Sequence, residues 1–234
     1  MDEIRASDFE NILSVLSTRR AGIFRGVSRA HYELVPRVGR LGHPPKASLE
    51  RKFLRRFRDL ALPYVSRIPD SQWELLALAQ HHGLPTRLLD WTSNPLVAVY
   101  FAVEKIHQTD AAVYHCVLDD ELPSVDTMEC TDPFDIPKAF VYHPPHITSR
   151  IPSQAALFTI HPMPGFSFTH RSLIKVIIPA AQRDGILRQL LRFGIHRASL
   201  FPSLDGVAEH LGWLMGGIAV VSAIDDQPQK LETQ

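Results

Sequence analysis

The sequence predicts a single-domain α/β (α+β) protein with a mixed β-sheet core flanked by helices. Its 234 residues, 45% of them apolar, are enough to bury one large core. Segments with apolar residues at every third or fourth position, typical of helices, alternate with short β-branched and aromatic segments, typical of strands. No internal repeat, low-complexity tract or linker interrupts this alternation, so one domain is expected.

The predicted elements follow from spacing and from residues that begin or end helices. Asn94 and Pro95 mark the start of one helix, Ser48 is expected to cap another, and Gly194 marks the end of a third. Predicted helices cover residues 6–18, 48–60, 73–80, 95–102, 181–193 and 207–215, and predicted strands cover 21–24, 111–118, 156–160 and 173–178. The proline-rich stretch 121–152 is expected to be irregular.

The charge balance excludes some functions. The chain has 25 basic and 25 acidic residues, so no net field attracts nucleic acid or anionic lipid, and any polyanion site must be local. The N-terminus lacks an apolar signal-peptide region and no apolar run approaches the length of a membrane span, so we expect a cytoplasmic protein without a membrane partner. Cys116 and Cys130, fourteen positions apart, fit neither a disulfide framework nor a zinc site, and are expected to be reduced.

The first candidate for chemistry is Phe24-Arg25-Gly26 at the end of a predicted strand. It combines an aromatic ring that can pack, a planar cation with five donors, and a glycine that other groups can approach closely. Such a trio suits a phosphate or a carboxylate. The alternative is an arginine paired with a buried acid.

The second candidate is the thirteen-residue segment from Gln80 to Thr92. Arg87 and Asp90 are three residues apart and could pair, while Trp91 offers a face on which a nicotinamide or a base could stack. His81 and His82 could be general bases, but no third ligand stands at metal spacing, so no metal site is expected. Asn94, close behind, is expected to cap the helix that Pro95 opens.

Two further segments carry weaker signals. Arg150 and Gln154 follow the proline-rich stretch and either edge a cleft or lie in a solvated loop. Asp205 is either a functional carboxylate or the cap of the last helix.

Taken in order, these segments resemble the FRG domain family, and the resemblance covers most of the chain. The matching motifs are Phe24-Arg25-Gly26, Leu34-Val35-Pro36-Arg37, Ala79 to Thr92, Ala98-Val99-Tyr100-Phe101-Ala102, Arg150-Ile151 with Gln154, and Leu200-Phe201-Pro202 with Leu204-Asp205-Gly206. The expected organisation is an N-terminal helix in residues 1–20, an FRG domain in 21–225 and a flexible tail in 226–234.

A more distant resemblance is to ADP-ribosyltransferases that use an arginine on their first strand. Phe24-Arg25-Gly26 is similar to their first motif, and Trp91-Thr92-Ser93, before the helix through Phe101-Ala102, is similar to their second. The resemblance implies a split sheet, NAD as substrate, Arg25 as a catalytic residue on the phosphates or ribose, and a nicotinamide pocket at the second motif. The residues expected to bind NAD are Arg25, Gly26, His82, Arg87, Trp91, Thr92, Ser93 and Gln154.

The third motif of that family departs from its pattern here. Gln154 matches a polar partner, but Ala156 occupies the position of the glutamate that stabilises the positive charge of the breaking glycosidic bond. We therefore expect the carboxylate from elsewhere, with Asp205 first and Glu209 second, or else no transfer at all.

Three functions remain open from the sequence. The first is an NAD-consuming ADP-ribosyltransferase or NAD glycohydrolase, in the role of a toxin or phage-defence effector, with protein, nucleic acid or water as acceptor. The second is a non-catalytic nucleotide- or nucleic-acid-binding module lined by arginines 25, 37, 40 and 87. The third is a hydrolase or nuclease with His81 or His82 as base beside Asp90.

Overall fold

The computed structural model describes residues 1–17, 22–65, 67–105, 108–127 and 132–225, with side chains up to residue 216. The described residues form one seven-stranded mixed sheet flanked by eight α-helices, which confirms the predicted fold class. The strands are β1 (Asp2–Arg5), β2 (Gly22–Val27), β3 (Leu88–Thr92), β4 (Ala111–Val117), β5 (Phe140–Tyr142), β6 (Ala156–Ile160) and β7 (Ile174–Ile178). The helices are α1 (Phe9–Ser17), α2 (Ala47–Ala61), α3 (Gln72–His81), α4 (Pro95–Val103), α5 (Arg150–Ser153), α6 (Arg183–Arg192), α7 (Arg197–Leu200) and α8 (Leu204–Asp225).

The sheet consists of two parts that meet at one point. Its strand order is β1-β7-β4-β2-β3-β6-β5, with β1 parallel to β7 and the other neighbours antiparallel. Whereas β2 pairs with β4 along its whole length, β2 and β3 are paired only where Phe24 faces Thr92 among the described strand residues. Beyond that pair the two strands diverge, and a gap opens between the halves of the sheet.

Apolar clusters cover both faces of the sheet. One cluster joins α1, α4 and α6 to strands β2, β4 and β7, and a second joins α2 and α3 to strands β3, β5 and β6. A third fills the opposite face around Trp91 and Tyr114. The helices therefore lie over the two separate halves, and the gap between β2 and β3 lies between the ends of α3 and α4.

Helix α4 lies directly on strand β2, and Gly26 permits this contact. A Cβ atom at Gly26 would overlap the carbonyl oxygen of Ala98 and crowd the backbone nitrogen of Ala102. The glycine of the Phe24-Arg25-Gly26 motif is therefore required by packing between two backbones.

Several predicted boundaries are confirmed. The side chain of Asn94 caps α4 by accepting from the Leu96 backbone nitrogen at 2.9 Å, and Gly194 follows α6 with φ +73°. Strand β6 has the predicted bounds of residues 156–160. These predictions succeed because each depends on chemistry local to the chain.

Other predictions are wrong, some for strands that depend on distant partners and some for the position of a helix cap. The segment 80–92, which has no predicted strand, contains β3. The stretch 121–152, predicted to be irregular, contains β5 and the start of α5, and β1 has no predicted counterpart. Helix α2 begins before Ser48 without a side-chain cap, and Ser203 rather than Asp205 caps α8 by accepting from Gly206 at 3.2 Å. Short strands are stabilised by neighbours in the sheet, which spacing along the chain does not reveal.

Two remaining predictions concern the thiols and a membrane span. Cys116 is buried and free, and Cys130 and the predicted tail of residues 226–234 lie outside the described part of the chain. Within the described residues, none of the helices combines the length and the apolar character needed to cross a bilayer.

We expect Gly26→Ala to destabilise the fold by about 3 kcal/mol or more, since the new methyl group forces α4 away from β2. Gly185→Ala is the matched control, because it lies in α6 with open space around its Cβ position, and it should be neutral or stabilising by up to about 1 kcal/mol. Urea unfolding monitored by circular dichroism measures both. Equal stability of the two variants would contradict the close α4–β2 contact.

Candidate functional site

A cleft of about 430 Å³ lies over the gap between β2 and β3. Its floor comes from the two strands and its walls from the C-terminal ends of α3 and α4, from α5 and from Phe201. The lining residues are Phe24 to Ser28, Tyr32, Arg40, Ala77, Gln80, His81, Asp90 to Thr92, Phe101, Glu104, Lys105, Arg150, Ile151, Gln154, Ala156, Phe158 and Phe201.

Arg25 reaches across the gap in the sheet. Its Nη1 donates to the backbone oxygen of Asp90 and lies 3.4 Å from the Asp90 carboxylate. The side chain of Arg25 therefore satisfies a carbonyl that a regular β2–β3 ladder would have paired with a backbone N–H. Its Nε atom is buried and has no hydrogen-bond partner among the described residues. Because Asp90 is largely exposed, the alternative of an arginine paired with a buried acid does not describe this contact.

Asp90 is held by α3 as well as by Arg25. Gln80 Nε2 donates to the Asp90 carboxylate at 3.1 Å, and Thr86 Oγ1 donates to Gln80 Oε1 at 2.7 Å, which orients that amide. Asp90 thus stays on the cleft floor with one oxygen toward α3. The predicted Arg87–Asp90 pair is wrong.

Arg87 instead forms a buried ion pair with Glu50 of α2. The two carboxylate oxygens accept from Arg87 Nη2 and Nε at 2.7 and 3.2 Å, and the guanidinium lies 5.0 Å from the ring centre of Phe134. Both side chains are at least 95% buried. Arg87 does not line the cleft; it joins α2 to the start of β3.

Besides Arg25 and Gly26, three residues that were expected to bind NAD line the cleft: Trp91, Thr92 and Gln154. Their side chains form hydrogen bonds within the protein. Trp91 is almost wholly buried, and its indole nitrogen donates to Thr159 at 2.9 Å, so little of its face is open to a ligand ring. Thr92 Oγ1 donates to the Gln154 carbonyl at 2.7 Å, and the Gln154 amide donates to the Leu200 carbonyl at 3.0 Å. These groups fix the shape of the cleft.

Glu104 lies on the wall formed by α4, at the helix end. It accepts from Arg197 Nη1 at 3.3 Å, and its burial raises its pKa above the ordinary value of a glutamate. The turn that carries Glu104 is held by buried Arg183, which donates to the carbonyls of residues 28, 102, 105 and 109. This carboxylate therefore has a defined position.

Phe101 and Phe201 form an aromatic wall beside Glu104. Their rings meet edge to face with centroids 6.0 Å apart. The guanidinium groups of Arg150 and Arg197 lie 5.1 and 3.6 Å from the Phe201 ring centre. A planar ring could pack here with cations at its border.

His81 lines the cleft as a neutral imidazole. Burial, reinforced by the nearby charge of Arg150, lowers its pKa to about 4. Its Nδ1 lies 3.5 Å from the Thr148 hydroxyl, and the Asp90 carboxylate is bound by Gln80 and Arg25. His82 and Ser93, both expected to bind NAD, are exposed and outside the lining.

The carboxylates that line the cleft differ from those chosen from the sequence as candidate catalytic groups. Asp205 is exposed on α8 and does not line the cleft, and Glu209 contacts Arg197 at 2.6 Å in a neighbouring cavity. Asp90 and Glu104 are the carboxylates of the described lining. Sequence reasoning missed Glu104, although its place three residues after Phe101 puts both on one helix face.

The cleft carries an excess of positive charge. Its described lining includes four cationic side chains and the two carboxylates, while His81 is neutral at neutral pH. The cationic residues are Arg25, Arg40, Lys105 and Arg150. In a protein whose total charge is balanced, this local excess favours an anionic ligand.

A cluster outside the cleft has residue types that bind metals. Single ligand atoms of Asp119, Glu121 and His170 lie within 4.8 Å of one another. Arg171 contacts both carboxylates at 3.0 Å, so a cation of the protein itself already neutralises them.

The model of the FRG domain family matches residues 20–111. This part of the chain is similar to the FRG domain. The match confirms the resemblance stated from the motifs, and it includes both Phe24-Arg25-Gly26 and the segment from Gln80 to Thr92. The matched residues include β2, α3, β3 and α4, and with them the floor of the cleft and the walls at the ends of α3 and α4. Neither a curated protein nor a solved structure matches the chain.

We expect Arg87→Met to destabilise the protein by about 3–5 kcal/mol, because it leaves the Glu50 carboxylate buried without its partner. The double variant with Glu50→Leu should recover most of that loss. Urea unfolding of both single variants and the double variant measures the coupling. Additive losses would show that the two residues do not form a pair.

Proposed function

We propose that this protein binds NAD in the cleft and breaks the bond between nicotinamide and ribose. One observation carries the proposal: the gap in the sheet holds Arg25 on the cleft floor, while a positioned carboxylate, Glu104, lies on a wall. That pairing of an anion-binding arginine with a separate carboxylate suits a dinucleotide whose ribose becomes positively charged.

Arg25 binds the pyrophosphate in this proposal. Its planar guanidinium suits a phosphate, and its Nε has no protein partner among the described residues. Asp90, 3.4 Å from Arg25, orients the guanidinium in the absence of ligand.

The nicotinamide ring packs on the aromatic wall. Phe101, supported edge to face by Phe201, offers apolar surface in the same wall as Glu104, and the cleft volume of about 430 Å³ falls within the range of small-molecule sites. Trp91, which was chosen from the sequence to stack on the nicotinamide, is not proposed for this role because its ring is buried in the core.

Glu104 stabilises the positive charge on the ribose. When the C–N bond breaks, its electron pair leaves with nicotinamide and C1′ of the ribose becomes an oxocarbenium ion. A water molecule or another nucleophile then bonds to C1′ and loses a proton. Glu104 takes the place of Asp205, since it lines the cleft and Arg197 favours its ionised form. Removal of NAD in this way would suit a toxin or a phage-defence effector.

We expect purified protein to release nicotinamide from NAD, and Glu104→Gln to lower that rate about 100-fold or more while NAD binding is kept. Liquid chromatography of nicotinamide measures turnover, and calorimetry measures binding. Asp205→Asn is the matched control and should keep the wild-type rate, because Asp205 lies outside the cleft.

Arg25→Lys should weaken NAD binding about tenfold or more, because lysine keeps the charge but loses the planar fork. Thermal melting must accompany this variant, since Arg25 also satisfies the Asp90 carbonyl. Binding without nicotinamide release in the wild type would favour the non-catalytic nucleotide-binding function. Turnover that survives Glu104→Gln would contradict the role of that carboxylate.

The rate should fall on acidification at a higher pH than for an ordinary glutamate. The reaction needs ionised Glu104, and burial raises the pKa of this group, so activity is present above that raised pKa and is lost as the pH falls through it. The pH profile of kcat measures the midpoint. A midpoint at or below pH 4.5, the ordinary pKa of a glutamate, would contradict the prediction.

A further inference from the structure

A second cavity, of about 460 Å³, adjoins the cleft on the side of Arg25. It shares Arg25, Arg40, Gln80 and Asp90 with the cleft. Its additional lining comes from Arg37 and from the apolar residues Leu41, Leu88 and Leu89. A ligand held at Arg25 therefore has space to extend in this direction.

Three arginines meet in this cavity against a single carboxylate in its described lining. Arg25, Arg37 and Arg40 face the space together with Asp90, which already contacts Arg25 at 3.4 Å. The arginines repel one another, as the lowered pKa of Arg40 reflects: burial lowers it first, and the charge of Arg25 lowers it further. Like charges brought together in this way are relieved by an anion.

The backbone holds Arg37 and Arg40 in place. They lie at the two ends of a short 3₁₀ turn, residues 37–40, and Val38 in this turn donates to the Thr86 carbonyl at 3.2 Å. A Cβ atom at Gly39 would overlap the carbonyl oxygen of Pro164, so the turn packs closely against that loop.

Each of these two arginines has donors left for a ligand. Arg37 Nη1 donates to the Gly83 carbonyl at 2.9 Å, and Arg40 Nε donates to the Val35 carbonyl at 2.8 Å. A guanidinium has five N–H groups, so the anchored side chains keep further N–H groups for an anion. The turn thus presents two oriented cations to the cavity.

We propose that Arg37 and Arg40 form a second phosphate subsite, which binds a phosphomonoester carried by the nucleotide in addition to the pyrophosphate at Arg25. The inference rests on the proposed function for the identity of the nucleotide. With this subsite, the protein should bind a dinucleotide that carries an extra phosphate, such as NADP, more tightly than NAD. A phosphomonoester carries up to two negative charges and three acceptor oxygens, which matches two guanidinium groups.

The test compares ligands that lack the scissile bond. Calorimetry measures the binding of ADP-ribose and of its 2′-phosphate to the full chain. The wild type should bind the 2′-phosphate about ten- to a hundredfold more tightly. Arg37→Gln should remove most of that preference and leave the affinity for ADP-ribose within about twofold, because Arg37 lines the second cavity and not the cleft. Equal affinities in the wild type, or a preference unchanged in Arg37→Gln, would overturn the proposal.

The controls separate this subsite from the proposed function. Arg188→Gln removes an exposed arginine on α6 and should keep the preference of the wild type. Adenosine 2′-monophosphate, compared with adenosine, is the probe that carries a phosphomonoester without a pyrophosphate, and its binding should weaken about tenfold or more in Arg37→Gln. Binding of this phosphate that depends on Arg37, in a protein that releases no nicotinamide, would support the subsite and defeat the NAD-cleaving function. Adenosine 2′-monophosphate that binds no better than adenosine, or as well in Arg37→Gln as in the wild type, would overturn the subsite.

Discussion

The site depends on the point where β2 and β3 stop pairing. After Phe24 and Thr92 the ladder ends, and the guanidinium of Arg25 takes over the carbonyl of Asp90 that a backbone donor would otherwise bind. The polar group remains satisfied, so the sheet tolerates the gap. The same bond places a cation on the floor of the cleft. The interrupted pairing of the sheet therefore determines the position of a charged group in the site.

The signature segments contain two kinds of residue. Arg87 and Thr92 hold the framework: Arg87 pairs with Glu50 in the interior, and Thr92 ties the start of α4 to the turn before β6. Arg25 and Asp90 face the cleft. Most residues of the distinctive motifs therefore stabilise the fold and position a few groups that face the cleft. The buried Arg87 belongs to the first kind and does not line the cleft.

Much of the fold could be predicted, and less of the site. Helix ends at Asn94 and Gly194 follow from side-chain capping and a left-handed backbone, both local effects. Strand β1 and the carboxylate Glu104 could not be found in this way. The first exists because β7 lies beside it, and the second faces the cleft because Arg183 holds the end of α4 to the carbonyls of distant segments.

The sequence by itself determined the α/β class, the similarity of residues 20–111 to the FRG domain and the choice of Arg25 as a candidate site residue, since composition, periodicity and motif are properties of the chain alone. Only the tertiary structure decided which charges share one space. Arg37 and Arg40 are far in sequence from Glu104, yet the turn at residues 37–40 and the end of α4 bring all three around the same gap. Asp205, which a motif made prominent, lies outside it because α8 directs that residue to solvent. These charged side chains lie close together because helices, strands and turns pack against one another, and no local sequence pattern indicates which elements will be neighbours.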